Sequence, residues 1–292
     1  IRSDDIINKW NTLSNSTIGQ SLNRIESYIN IQNIFSKIDS AQSENITSFF
    51  NQKVFIAGVL TAGDQLNQII ALEDGGASKD QVKSFFESVF GCKPLDSKVY
   101  ENYAIDIYEL NQVKISFAHV GNVVLFSTSV ILIEEGIREL SAERHLPDYL
   151  GFKKLLKTAD IRSDGNIFIN FNQIGGFFNL YGNNHIDFSK SFNQFGGWAE
   201  LDLNSRDQSW MLNGFSFISD STYSYLNSFS GEKAQSLDVS SVIPENTRVN
   251  MICASMHHEG EAFATFNNQR KGDFKPYLDK LVKKISLIFP LL

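Results

Sequence analysis

The sequence predicts an α+β fold, built mainly from antiparallel β-sheets with helices packed on one face. Runs rich in β-branched and aromatic residues follow one another with only short turns between them, as antiparallel strands do. Segments with apolar residues at helical spacing stand between and after these runs. We divide the chain into a helical N-terminal segment (1–45), a first α+β half (46–145) and a second α+β half (146–292).

The first half is predicted as two strands, a helix, three strands and a second helix. The runs "KVFIAGVL" (53–60) and "LNQIIALE" (66–73) flank turn residues and favour a hairpin, although the second run is also compatible with a helix. Ser78 stands where an N-cap belongs, and Gly91 ends the helix that follows it. The three later runs are "KVYENYAIDIYEL", "VKISFAHV" and "NVVLFST", separated by "NQ" and "GN" turns.

The second half begins with a helical connector and the short strand "NIFINF", followed by a Gly-rich helical stretch. A hairpin is predicted from "GGWAELDL" and "SWMLNGFSFI". Apolar and charged residues alternate in "WAELDL", which indicates one buried face and one wet face. Further on, "RVNMICASM" (248–256) predicts a strand and 275–289 an amphipathic helix. The two halves share a strand–polar joint–helix pattern, which suggests an internal repeat.

Ser127 and Ser129 lie between a predicted strand and helix in "NVVLFSTSVILIEEGIREL". A serine at such a joint can be a nucleophile or a helix cap. The G-x-S-x-G pattern is absent from the sequence, and similar joints recur elsewhere, with Asn172 at one of them. A catalytic serine would not need to recur, so we interpret both serines as caps.

Composition and charge exclude several classes of function. The chain of 292 residues has a formal net charge of −7, which argues against nucleic-acid binding. The sequence has no run of 18 apolar residues that would predict a membrane span. Cys92 and Cys253 stand far apart, and we favour two separate thiols, although a disulfide in an oxidising compartment stays open.

The sequence contains no phosphate-binding glycine motif, and we predict no cofactor. The best metal candidate is "HHEGE", in which His257 and Glu261 would share one face of a helix. The H-E-x-x-H pattern is absent, and Gly260 weakens a helix there, so a solvated turn is the simpler interpretation.

Aromatic residues are dense near the middle of the second half. They would line an apolar pocket, cover a partner surface, or simply form core. The candidate ligand-binding residues are Phe177, Phe178, Tyr181, Phe188, Phe192, Phe195 and Trp198.

Three segments resemble a domain-of-unknown-function family of Bacteroidetes cell-envelope proteins: "LPDYLGFKKLLKTADIRSDGNIFINF", "GGWAELDLNSRDQSWMLNGFSF" and "SLDVSSVIPENT". The resemblance implies an extracytoplasmic location in the periplasm or cell envelope. It also implies a membrane anchor outside these residues. It implies no catalytic residues.

The absence of a catalytic motif in the sequence favours a non-enzymatic domain that binds a protein partner or an envelope component. One alternative is a binder of an apolar small molecule or lipid, which would use the aromatic-rich region. The other is a metal-dependent hydrolase built around His257 and Glu261. Sequence alone leaves these three hypotheses open.

Overall fold

The computed structural model describes residues 6–16, 19–20, 26–40, 54–61, 65–142, 150–181, 195–206, 209–218 and 224–229. The described residues form an α+β fold, which confirms the predicted class. The helices are α1 (Ile6–Asn15), α2 (Glu26–Ser40), α3 (Lys79–Phe90), α4 (Val130–Ser141), α5 (Leu150–Leu156) and α6 (Phe171–Tyr181). The strands are β1 (Val54–Thr61), β2 (Gln65–Glu73), β3 (Asp96–Tyr100), β4 (Tyr103–Leu110), β5 (Val113–Val120), β6 (Val123–Ser127), β7 (Gly165–Asn170), β8 (Trp198–Arg206) and β9 (Ser209–Phe217). None of the helices in this described part of the chain has the length and hydrophobicity to span a bilayer.

The first sheet has six strands in the order β1-β2-β6-β5-β4-β3, and every neighbouring pair is antiparallel. Hairpins account for four of the five pairs. The exception is β2 with β6, because α3 carries the chain from β2 to the far edge at β3. The meander then returns strand by strand until β6 reaches β2. The hairpin predicted from β1 and β2 is therefore a hairpin, and the helical alternative for β2 is wrong.

Helices cover both faces of this sheet, so the expectation that they pack on one face is wrong for it. On one side, α2 and α3 bury residues such as Phe35 and Phe86 against the sheet. On the other side, α4 buries Ile133 and Ile137 against Leu125 and its neighbours. The strands between these layers are apolar on both faces, which explains near-continuous apolar runs such as "VVLFS".

Two tight turns in the meander use left-handed backbone at residues other than glycine. Asn111 and Gln112 join β4 to β5 with φ of 51° and 69°. Glu101 and Asn102 do the same between β3 and β4, with φ of 46° and 68°. Such two-residue turns match the twist of the strands that they join. The second of them divides the run predicted as a single strand into β3 and β4.

Helix α3 begins and ends as its sequence predicts. The Ser78 hydroxyl accepts a hydrogen bond from the Gln81 N–H, and the Gln81 side chain accepts one from the Ser78 N–H, forming a capping box. Gly91 ends the helix in the left-handed conformation, with φ of 68°.

Replacing Ser78 with alanine is expected to lower the free energy of unfolding by about 1 kcal/mol, because one N-terminal N–H loses its acceptor. Urea denaturation measures this change. The matched control is Ser84→Ala, an exposed position inside the same helix, which is expected to be neutral or slightly stabilising. Equal destabilisation by both substitutions would contradict the capping role.

The two serines at the joint between β6 and α4 have different roles. Ser129 occupies the N-cap position, but its side chain makes no capping hydrogen bond. The buried Ser127 hydroxyl donates to the Gln68 carbonyl at 2.5 Å and accepts from the Ser129 N–H at 3.0 Å. Ser127 therefore joins the start of α4 to β2. Of the two serines predicted as caps, only Ser129 occupies the N-cap position, and its side chain does not cap the helix.

The second sheet has three antiparallel strands in the order β7-β8-β9. Helix α5 packs against β8 and β9, and α6 follows β7 directly. Phe152 of α5 lies 4.9 Å from Phe168 of β7 and 5.2 Å from Trp198 of β8, measured between ring centroids. Gly151 lets α5 approach β9, because a Cβ there would lie 2.6 Å from the Phe217 ring.

Candidate functional site

Two carboxylates lie together on the face of β8 that α5 and the loop after it cover. Glu200 and Asp202 are two residues apart, so both side chains project from the same side of the strand. Glu200 is fully buried, and Asp202 is partly buried. The interpretation of this face as wet is therefore wrong, because the chain between α5 and β7 closes over it.

Neutral donors from this connecting chain hold the pair. The Asn166 side-chain amide donates to Asp202 Oδ1 at 2.6 Å and approaches Glu200 Oε1 at 3.5 Å. The Asp160 backbone N–H donates to the same Asp202 oxygen at 2.8 Å, and the Thr158 hydroxyl lies 3.5 Å from Glu200 Oε2. The Asn166 amide therefore lies against both carboxyl groups, which brings them close to each other. A proton on one of them would relieve their mutual repulsion.

Burial raises the pKa of Glu200 from its ordinary value of 4.5 to about 7, and repulsion from Asp202 acts in the same direction. A folded chain therefore holds this proton up to about pH 7, whereas an unfolded chain releases it near pH 4.5. Because the folded state binds more protons over this interval, folding stability decreases as pH rises through it. Glu200 is fully buried, so its carboxyl group holds this proton inside the fold.

One edge strand of the same sheet is β9, and its side chains are largely exposed. Every residue from Met211 to Ser216 is exposed, including Met211 (46%), Leu212 (45%) and Phe215 (60%). The sequence of β9, "SWMLNGFSF", contains no charged residue and no proline. Within the described residues, no strand pairs with the outer edge of β9. An uncharged, exposed edge of this kind is a template for another strand.

The two edges of the six-stranded sheet differ from β9. The edge strand β3 is only five residues long and carries Asp96 and Lys98, and Lys98 Nζ lies 2.5 Å from Glu134 Oε1 on α4. Short length and charge are common protections of an edge. The other edge strand, β1, is also uncharged, but α6 packs against its end, where a Cβ on Gly176 would lie 2.6 Å from Leu60 Cδ1.

The predicted aromatic site is divided among several places. Phe195 contacts Phe171 and Tyr225, with ring centroids at 5.0 and 5.4 Å, whereas Trp198 packs on Phe152 beneath α5. Phe177 is partly buried on α6. Phe188 and Phe192, and the side chains of Phe178 and Tyr181, lie outside the described residues. The structure thus places Phe195 and Trp198 in separate aromatic groups, and their role in ligand binding stays a prediction.

The metal candidates His257 and Glu261 also lie outside the described residues, and so does Cys253. Cys92 is exposed in the turn after α3. Among the residues that the structure describes, no group of three or more His, Cys, Asp or Glu side chains is arranged to hold a metal ion.

One further buried polar pair lies in the first half. His119 Nε2 lies 2.7 Å from Asp74 Oδ2, and the other Asp74 oxygen accepts a hydrogen bond from the Gly76 N–H. These contacts tie the turn before α3 to β5. One Asp74 oxygen therefore contacts the turn and the other contacts β5, so the carboxylate joins the two segments.

Sequence reasoning named neither Glu200 with Asp202 nor the edge of β9 as a site. The acid pair had no sequence signal of its own, because its partners Thr158 and Asn166 come from a different segment. The edge had one usable signal: "SWMLNGFSF" is the strand of the predicted hairpin that lacks charge. Comparison of the chain with protein-family models, curated proteins and solved structures gave no match.

Proposed function

We propose that this protein is a non-enzymatic binding module that captures an extended segment of another protein as a fourth strand beside β9. The observation that supports this proposal is the edge strand β9, which is nine residues long, carries no charge and is exposed from Met211 to Ser216. Strand addition uses the unpaired N–H and C=O groups of such an edge for affinity, and it uses alternate side chains for specificity.

The chemistry of β9 indicates which kind of partner segment would fit. Nine residues of strand span about 30 Å, which accommodates a segment of six to nine residues. Met211 and Phe215 project from one face of the sheet and Leu212 from the other, so apolar side chains of the partner would find contacts on both faces. The strand offers no charge to pair with a charged residue, so an uncharged segment rich in β-branched residues fits best.

We also propose that the module works outside the cytoplasm and is tethered to a membrane by an anchor beyond these residues. The support for this location is the resemblance of the three segments named above to cell-envelope proteins. A cell-surface or periplasmic setting would bring the module close to exported proteins, whose extended segments are exposed before they fold.

Leu212→Lys is expected to weaken strand capture at least tenfold, because it places a charged side chain on the uncharged edge. A phage library of random ten-residue peptides supplies the probes. The library is selected on the wild-type protein, and the dissociation constants of synthetic versions are measured by fluorescence anisotropy. The matched control is Ile131→Lys, which adds the same charge at an exposed position of α4 and should leave binding unchanged.

Two results would overturn the proposal. Selected peptides that bind wild type and Leu212→Lys equally would place the site elsewhere. A wild-type chain that forms dimers in analytical ultracentrifugation, with Leu212→Lys monomeric, would show that a second copy of the chain occupies β9.

A further inference from the structure

The buried acid pair lies directly behind the proposed binding edge. In the register of the sheet, Glu200 stands opposite Phe215 of β9, and Asp202 stands opposite Asn213. Both β9 residues are exposed and belong to the edge. A change of protonation in the pair therefore occurs on the strand next to β9, to which the captured segment would bind.

The charged groups around the pair do not neutralise it. The connecting chain 157–164 carries four charged residues: Lys157, which is exposed, Asp160, Arg162 and Asp164, whose carboxylate accepts a hydrogen bond from the Ser205 N–H. Arg162 forms an exposed, two-pronged ion pair with the Asp160 carboxylate at 3.1 Å, so its charge is used there. Helix α5 contributes Lys154, whose ammonium lies over the Phe217 ring, and β9 contributes no ionisable group between Ser209 and Phe217.

We propose that the Glu200–Asp202 pair is a proton-dependent latch that fastens the connecting chain 157–164 to β8, so that capture of a strand at β9 weakens as pH rises through neutrality. This inference rests on the proposed function, because it concerns the regulation of the same edge. With one proton, the pair carries a single negative charge, and Asp202 accepts hydrogen bonds from the Asp160 N–H and the Asn166 amide.

Loss of this proton leaves two carboxylates close together, and one of them, Glu200, is fully buried. Their repulsion decreases when water reaches Glu200, which requires the connecting chain to move away from β8. That movement releases Glu200 and Asp202 of β8, which stand opposite Phe215 and Asn213 of β9 in the register of the sheet. The raised pKa of Glu200, about 7, places this transition near neutral pH.

The first test measures strand capture at pH 5.5 and pH 8.5 with a selected, end-blocked peptide that has no ionisable side chain. Wild-type protein is expected to bind about tenfold more weakly at pH 8.5. This change corresponds to a Glu200 pKa about one unit higher in the peptide-bound protein than in the free protein. Glu200→Gln, which keeps the shape without the titration, should bind equally at both values. The control Glu109→Gln changes an exposed strand carboxylate and should retain the wild-type dependence.

The second test needs no peptide and separates the two proposals. Amide hydrogen exchange of residues 157–166 and 198–206, corrected for intrinsic rates, should show openings about tenfold more populated at pH 8.5 in wild type and unchanged in Glu200→Gln. If exchange depends on pH in this way but no peptide binds, the latch is retained and the proposed function is rejected. Peptide binding with pH-independent exchange in wild type, or with equal pH dependence in Glu200→Gln, would reject the latch.

Discussion

Replacing Gly214 with alanine is expected to destabilise the three-stranded sheet by about 3 kcal/mol or more. Gly214 stands opposite Leu201 in β8. A Cβ at this position would overlap with the Glu200 carbonyl oxygen and lie 2.7 Å from the Leu201 Cα. Both obstacles are backbone atoms, so neither can be relieved by a change of rotamer. The strands must move apart, and both the edge of β9 and the acid pair of β8 would be displaced.

Hydrogen exchange of β8 and β9 measures this effect, because it reports on the small sheet separately from the large one. Gly58→Ala is the matched control, since Gly58 also lies within a strand at the edge of a sheet. A Cβ there would lie 3.4 Å from Leu66 Cδ1, an ordinary contact, so the control is expected to change stability by less than about 1 kcal/mol. Similar effects for both substitutions would contradict the close approach of β8 and β9.

Phe86→Ala is expected to destabilise the six-stranded half by about 3–5 kcal/mol. Phe86 of α3 is 1% exposed, and its ring lies between 4.5 and 6.0 Å from the rings of four other phenylalanines, measured between centroids. These partners are Phe85, Phe90, Phe117 and Phe126. Truncation removes the ring at the centre of this cluster, and the surrounding helix and strands can collapse only in part.

Amide hydrogen exchange of α3 and of strands β4 to β6 measures this loss, because it reports on the six-stranded half separately from the small sheet. The matched control is Phe55→Ala on β1, where the side chain is 44% exposed and the expected loss is below about 1.5 kcal/mol. Equal losses for Phe86→Ala and Phe55→Ala would place the centre of the core elsewhere.

Local chemistry made several elements predictable from sequence. The capping box at Ser78 and the left-handed Gly91 fix the two ends of α3 within the chain segment itself. The Gly-Asn turn between β5 and β6 likewise belongs to the two-residue turns that join antiparallel strands. In each case the residues that determine the structure are neighbours in sequence, so no knowledge of the tertiary fold was needed.

The missed features depend on contacts between distant segments. The alternation in "WAELDL" correctly indicated a strand with two unlike faces. It could not show that the polar face lies beneath α5 and the chain that carries Thr158 and Asn166. The division of the run at Glu101 and Asn102 was missed because neither residue is a glycine, although both adopt positive φ. The domain boundaries and the suggested repeat stay predictions.

Under the proposed function, a strand edge and a titratable pair would act together. The edge of β9 would supply the binding surface, and the pair on β8 would set its dependence on pH. The edge and the pair would be coupled because Glu200 of β8 and Phe215 of β9 stand opposite each other in the sheet. The stability of this small sheet is therefore expected to matter more for binding than that of the larger sheet.

Amide hydrogen exchange of β9 in the free, monomeric protein tests the central claim most directly, because it asks whether the edge is open. In an antiparallel sheet, alternate N–H groups of an edge strand bond to the neighbouring strand and the others point outward. We expect the outward N–H groups of residues 209–217 to exchange far faster than those of β8, and a captured peptide to slow their exchange. Slow exchange along the whole of β9 in the free monomer would mean that the chain already covers this edge, and the proposed function would be wrong.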